Sequence, residues 1–322
     1  MPHQVIQTYR TKRTILLALA FVVLLALVIL GLSLGSSNLS FSKIPGVMLG
    51  YGDKVARQVL YQIRLPRVLA ALLTGAALSV SGAVIQTVIR NPLGSPYTLG
   101  LSSASMFGAA LAIVSLGSTT IWGLSLQHQP YIITLSAFLF GVLCALFITG
   151  LARWKGASPE TLVMAGIILS ALFGSATSLM QYISSDVQLS AIVTWMFGDM
   201  GKATLANTQI VLWVTVPAII YFIYITFGLS TLNAGDDVAA SLGVRVNRLR
   251  MTAVIVASLC TAVTVAFYGV IAFVGLVIPH ITRRLLGNNE RFVIIGSAIL
   301  GANFLLLSDI VARTVVAPVI IP

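Results

Sequence analysis

Asp236 and Asp237 stand side by side, followed by Val238-Ala-Ala-Ser-Leu242, then Gly243, then Arg245, Arg248 and Arg250. Carboxylates in a first helical turn favour the positive end of the helix dipole. A glycine just past the last turn closes a helix in a left-handed cap. The stretch reads as a helix of about two turns, with Ala239 and Ala240 as a low-profile face that another protein could approach. By spacing alone, a plain capped connector accounts for the pattern equally well. Other chemistry-bearing residues are sparse. His3, His128 and His280 fall in a tail, an outer loop and a helix end, so they do not converge on a metal. Cys144 and Cys260 sit in apolar runs and read as packing residues rather than a disulfide or a metal pair. Gly198-Asp-Met-Gly-Lys202-Ala203 lacks the four-residue gap and the hydroxyl residue that a phosphate-binding loop requires. No enzyme chemistry is legible, and any ATP hydrolysis would belong to another chain.

The elements that must position these residues are membrane spans. The chain has 322 residues, 58% hydrophobic and 8% charged, with a mean hydropathy of +1.01; a soluble domain carries about 25% charged residues. The fold class expected is all-α, a polytopic transmembrane helical bundle formed by residues 1–322 as one domain. The net charge of +11 reads as loop anchoring, since no aromatic-rich basic patch points to nucleic acid.

Charges mark the boundaries of spans, each needing about 20 apolar residues. The first span is expected over 14–35. A second follows Arg64-Leu-Pro-Arg67 and ends at Arg90, before the turn-rich Asn91-Pro-Leu-Gly-Ser-Pro96. Two more lie before Arg153, jointed near 117–130. Ser158-Pro159-Glu160 is a helix start, and that fifth span runs to about Tyr182. Residues 186–202 are short and amphipathic. A sixth span covers 203–229, and the polar loop 229–250 follows. Two short helices lie over 251–282 with a joint near Tyr268-Gly269, and the ninth span is 292–308. With the N-terminus inside, 12 of the 19 lysines and arginines fall inside and seven outside (Lys43, Lys54, Arg57, Arg64, Arg67, Lys202, Arg313). The positive-inside rule favours that orientation and places 229–250 in the cytoplasm.

No charge falls in the middle of a span, which argues against an ion-coupled secondary transporter. Gly75, Ser79 and Ala83 repeat at i, i+4 and read as helix packing. Gly166, Ser170, Gly174 and Ser178 repeat likewise on the fifth span. Packing is the ordinary reading there; a solute pathway lined by weak hydroxyl contacts is the sharper one.

Several stretches together carry a resemblance. They are Arg64-Leu-Pro-Arg67, Gly75-Ala-Ala-Leu-Ser-Val-Ser-Gly82 with Gln86, Arg90-Asn-Pro-Leu-Gly-Ser-Pro-Tyr-Thr-Leu-Gly100, Gly235-Asp-Asp-Val-Ala-Ala-Ser-Leu-Gly243, Phe273-Val-Gly-Leu-Val-Ile-Pro-His280 and Asp309-Ile-Val-Ala-Arg313. The chain resembles, from about residue 14 to its end, the permease subunits of bacterial iron–siderophore and vitamin B12 ABC importers, the FecCD-like type II family.

The resemblance implies ten spans per permease and a homodimer or heterodimer with the pathway between the copies. It also implies two cytoplasmic ATPase subunits and an extracytoplasmic substrate-binding protein, in a bacterial cytoplasmic membrane. No cofactor is implied on this chain; ATP and magnesium belong to the partner ATPase. Gly235, Asp236, Asp237, Ala239, Ala240, Leu242 and Gly243 match the helix that docks into the ATPase. Arg64, Arg67 and Arg313 match arginines that pair with acids on the binding protein, whereas Lys54 and Arg57 read as headgroup anchors. The tenth span that would follow 317–322 is absent from this sequence, which leads to the expectation that residues 1–322 alone assemble poorly. The substrate implied is an iron(III)–siderophore complex, with vitamin B12 or haem as alternatives. A secondary transporter and a non-transporting scaffold are the competing classes.

Overall fold

The computed structural model describes residues 2–34, 44–48, 51, 53–116, 120–121, 124–125, 130–154 and 158–315. The chain begins with α1 (Pro2–Ser33) and α2 (Ile44–Met48). Helix α3 (Lys54–Gln58) starts at Asp53, whose side chain accepts the Ala56 N–H at 2.8 Å. It continues without a break through a π-helical turn over Val59–Arg64 into α4 (Leu65–Val88). Pro66 explains that turn: its ring removes an N–H and crowds the preceding carbonyls, and a locally widened helix absorbs both.

Next come α5 (Leu101–Leu116), a minimal hairpin pairing β1 (Thr120–Ile121) with β2 (Leu124–Ser125), α6 (Pro130–Trp154) and α7 (Pro159–Ile183). Helix α8 (Asp186–Met196) has a capping box between Ser185 and Gln188 and is followed by a 3₁₀ turn over Met200–Lys202. Then α9 (Leu205–Tyr224), α10 (Thr226–Asn233), α11 (Asp236–Ser241), α12 (Val246–Tyr268), α13 (Val274–Leu286) and α14 (Glu290–Thr314) complete the order.

Among the described residues, seven helices are long and apolar enough to cross a membrane. Helix α5 is a shorter apolar helix, and α13 falls short of a span, so the count differs from the nine expected from charge punctuation. Helix α13 spans only 13 residues, about 20 Å at 1.5 Å per residue, less than the roughly 30 Å hydrocarbon core. The corner between α12 and α13 is turned by Gly269 (φ +78°) and Phe273 (φ +65°).

The bundle is organised around α4. In its most apolar window 83% of residues are buried, against 17% for α1. Small residues allow this. A Cβ at Gly75 would strike the backbone of Gly301, and one at Gly82 would strike that of Gly275. Helix α4 thus meets α14 and α13 backbone to backbone, the close approach that small residues permit in membranes. The i, i+4 face of Gly75 and Ser79 is a packing face, as its spacing implied: Ser79 also abuts Gly301. The outward faces of α1, α6, α7 and α9 carry exposed Leu, Ile and Phe, surfaces suited to lipid rather than water.

Two boundaries differ from the sequence reading. The sixth span ends at Tyr224, and α10 is a separate helix. Helix α12 begins at Val246 rather than near residue 251, so Arg248 and Arg250 lie in its first turns. The Val316–Pro322 tail, Lys43, Lys155 and the joint residues 117–119 and 126–129 lie outside the described residues.

Candidate functional site

Two charged clusters sit at opposite ends of the bundle. The end assigned inside by the charge count holds α11. Gly235 opens it with φ +119° and Gly243 closes it with φ +82°, the left-handed closure its position implied. Asp236 does more than meet the helix dipole. Its carboxylate accepts from Arg250 Nη2 at 2.9 Å and 3.1 Å, and Arg90 Nη2 also pairs with it. Arg250 is buried, and its Nε donates to the Val88 carbonyl at 3.2 Å. A single carboxylate therefore ties α11 to the end of α4 and the start of α12.

The expected alanine face needs correction. Ala239 is fully buried and packs into the chain's own core with Leu229, Leu232 and Val254 nearby in the same cluster. A two-turn helix resting on a bundle must turn one side inward, and Ala239 is on that side. The surface left free comprises Asp237, Val238, Ala240, Ser241, Leu242 and Gly243. Val238 and Leu242 form an exposed apolar i, i+4 pair on it. Sequence reasoning missed Val238, although its spacing from Leu242 was available.

At the other end Arg67 Nε donates to Asp309 Oδ1 at 2.7 Å, and Arg313 Nε lies 3.2 Å from Asp309 Oδ2. Arg313 also donates to the carbonyls of Gly31 (3.0 Å) and Leu34 (3.3 Å). Arg64 donates to the Leu32 and Ser33 carbonyls at 2.7 and 2.8 Å. These arginines satisfy the carbonyls that end α1, which have no helical partner of their own. Expected to face outward, Arg64, Arg67 and Arg313 are 3%, 8% and 9% exposed. Their heads are engaged within the chain, because the open end of α1 and a buried carboxylate compete for them. Lys54 and Arg57 are exposed instead. Beside the cluster, a cavity of about 460 Å³ lies between Arg67, Asp309, Asp199, Tyr97, Met196 and Ile271. Lys202, outside the spans, is pushed below the usual lysine range by burial, opposed by Asp199.

The i, i+4 row on α7 divides along its length. Gly166 is buried against the backbone of Thr98 and Leu99, and Ser170 lies beside Gly100. Gly174 has open space where a Cβ would project, and Ser178 is exposed, donating to the Gly174 carbonyl at 3.2 Å. The row is packing at one end and open surface at the other. Among the described residues no cluster of three His, Cys, Asp or Glu forms a metal site. Cys144 and Cys260 are buried and unpaired.

The FecCD transport family matches residues 23–322. A Methanocaldococcus jannaschii protein provisionally named an ABC transporter permease is 41% identical, over 97% of this chain and 90% of its own length. The hemin transport system permease protein HmuU of Yersinia pestis is 33% identical, over 97% of this chain and 91% of its own. A solved structure, described as an inward-facing conformation of a provisionally assigned metal-chelate type ABC transporter, superposes with a TM-score of 0.82. Its identity is 31%, over 94% of this chain and 91% of that one.

Proposed function

This chain belongs to the FecCD transport family, and on that premise we propose that it is the permease subunit of an ATP-driven importer carrying an iron(III)–siderophore complex by alternating access. The observation that carries the reading is α11. It is a capped helix outside the spans, clamped through Asp236 to two of them, with an unpartnered apolar pair at Val238 and Leu242. A cytoplasmic ATPase seated on that surface would move α11 as a rigid lever. Arg90 and Arg250 would pass the movement to α4 and α12. ATP and magnesium act on the ATPase subunit; this chain supplies the pathway.

A second permease, identical or homologous, would cover the open part of α7 around Gly174 and Ser178 and complete the pathway. At the outer face, Arg67 and Arg313 share the carboxylate of Asp309, and Arg64 holds the end of α1 beside Arg313; these four side chains carry a net positive charge. That charge, with exposed Lys54 and Arg57, suits an acidic substrate-binding protein. The N-terminus lies in the cytoplasm and the bundle in the cell membrane.

The test is uptake of radioactive iron into proteoliposomes holding the chain, its ATPase and its binding protein. ATP-dependent accumulation of ferric siderophore is expected, with no comparable uptake of haem or vitamin B12. Haem is the second reading, favoured by the 33% identity to a permease named for hemin transport; haem uptake in the same assay would establish it. Uptake without ATP, driven by an ion gradient, would contradict both.

A further inference from the structure

We propose that Glu290 is the relay through which the α10–α11 segment acts on the transmembrane bundle, with Asn233 as its input. The inference rests on the reading of α11 as the ATPase-docking helix and names a second route by which its movement enters the spans.

Glu290 opens α14 and is 0% exposed. Its Oε1 accepts from Arg283 Nη1 at 2.8 Å and from Asn233 Nδ2 at 2.8 Å, and Thr87 Oγ1 lies at 3.1 Å. Arg283 Nη2 donates onward to Thr87 Oγ1 at 2.7 Å and to the Ala83 carbonyl at 3.2 Å. One carboxylate oxygen thus gathers α10, α13, α14 and α4.

A purely structural ion pair needs only Arg283. Asn233 is the feature that such a pair does not require. It is exposed and is the last residue of α10, and it reaches inward to a carboxylate sealed from solvent. Between it and α11 lie only Ala234 and Gly235. Gly235 turns the chain there at φ +119°, and both link residues are hydrogen-bonded, Ala234 N–H to the Thr231 carbonyl at 3.0 Å and Gly235 N–H to the Leu232 carbonyl at 3.2 Å. Movement of α11 is therefore passed through this short link to the end of α10, and reaches α13 and α14 by way of the Asn233 amide. Inside the bundle, low local dielectric strengthens such bonds and makes their geometry exacting.

The node is also incomplete. Glu290 Oε2 is buried and has no hydrogen-bond partner among the described residues. An unmet buried acceptor is unfavourable, so this arrangement is less locked than a fully satisfied network. A node that must exchange partners between two bundle states has that property.

The test uses the assembled complex of this chain with its ATPase and with the binding protein without substrate. Three quantities are measured: co-purification of the ATPase, basal ATP hydrolysis, and stimulation of hydrolysis by the binding protein. Binding-protein stimulation is a signal that crosses the bundle, so it reads coupling between the two ends of the chain. Asn233→Ala is expected to leave co-purification and basal hydrolysis intact and to lower the stimulation about fivefold, within the range by which residues along a coupling network alter it. Asn233→Asp, which sets a second carboxylate against Glu290, is expected to lower it further. Thr87→Val, which removes the side-chain link of α4 to the Glu290 carboxylate at similar size and leaves the Arg283 bond to the Ala83 carbonyl, is expected to lower it as well. Unchanged stimulation in all three variants overturns the relay. So does loss of basal hydrolysis or co-purification in Asn233→Ala, since Asn233 would then serve docking. An unsubstituted complex that hydrolyses ATP without stimulation also overturns it. Failure of the unsubstituted chain to hold an ATPase overturns the underlying reading of α11, and the relay with it.

Discussion

Arg250 donates to both oxygens of Asp236, at 2.9 and 3.1 Å, across the joint between the short α11 and the span that follows it. The guanidinium is buried while the carboxylate is partly exposed. The short helix is therefore positioned by a charge that belongs to the bundle. This makes α11 a rigid attachment rather than a loose loop, which is what a lever requires.

The two arginines on Asp236 are not equivalent. Arg90 is partly exposed, and exposed pairs contribute roughly 0–1 kcal/mol. Removing Asp236 instead leaves Arg250 buried with fewer partners, at a cost of about 1–3 kcal/mol. Asp236→Ala should lower the melting temperature of the purified permease clearly, whereas Arg90→Ala should shift it little. Equal shifts would mean that Arg250 does not depend on Asp236.

The neighbouring alanines separate stability from docking. Ala239 lies in the core and Ala240 on the surface. Ala239→Trp should cost at least about 1–3 kcal/mol by overpacking and reduce folded yield. Ala240→Trp should leave yield and melting unchanged while abolishing ATP-driven uptake. Unimpaired uptake by Ala240→Trp would remove this face from the docking surface.

Glycines on two helices should respond oppositely. Gly82→Val forces a side chain into the Gly275 backbone and is expected to prevent folding, read as loss of monodisperse protein in detergent. Gly174→Val meets open space and is expected to fold normally. If α7 lines the pathway there, its uptake falls; full uptake would place the pathway elsewhere.

The outer cluster predicts a coupled pair. Asp309→Asn leaves Arg67 and Arg313 buried together without their shared charge, a loss of about 3–5 kcal/mol for a broken buried pair. Adding Arg313→Met should restore part of that stability, since residues in contact are non-additive. Additive losses would show that the pair is not energetically linked.

Charge punctuation made the all-helical bundle and most of its spans legible, because a helix that crosses a bilayer must exclude charge from its middle; it counted nine where seven helices are long and apolar enough among the described residues. Local signals held as well. The Ser158 side chain accepts the Thr161 N–H at 3.2 Å at the start of α7, and Gly269 turns the joint after Tyr268. The inward side of α11 was not legible, since six residues carry too little periodicity to assign a face. Nor were the arginine partners. Arg67 and Asp309 are 242 positions apart, and which cation reaches a buried carboxylate is decided by packing. Helix α10 (Thr226–Asn233) was hidden because it straddles the expected end of the sixth span and the start of the polar loop. Glu290, Arg283 and Asn233 read as ordinary loop residues until the bundle brought them together.

The most direct measurement is crosslinking from α11 in the assembled membrane complex. Leu242→Cys places a thiol on the exposed surface, while Cys144 and Cys260 are buried. Docking predicts that a short thiol-reactive crosslinker joins position 242 to the ATPase subunit, with a yield that changes when ATP is bound. Labelling of the introduced thiol by small reagents with no crosslink to an ATPase, in a complex that still transports, would contradict it.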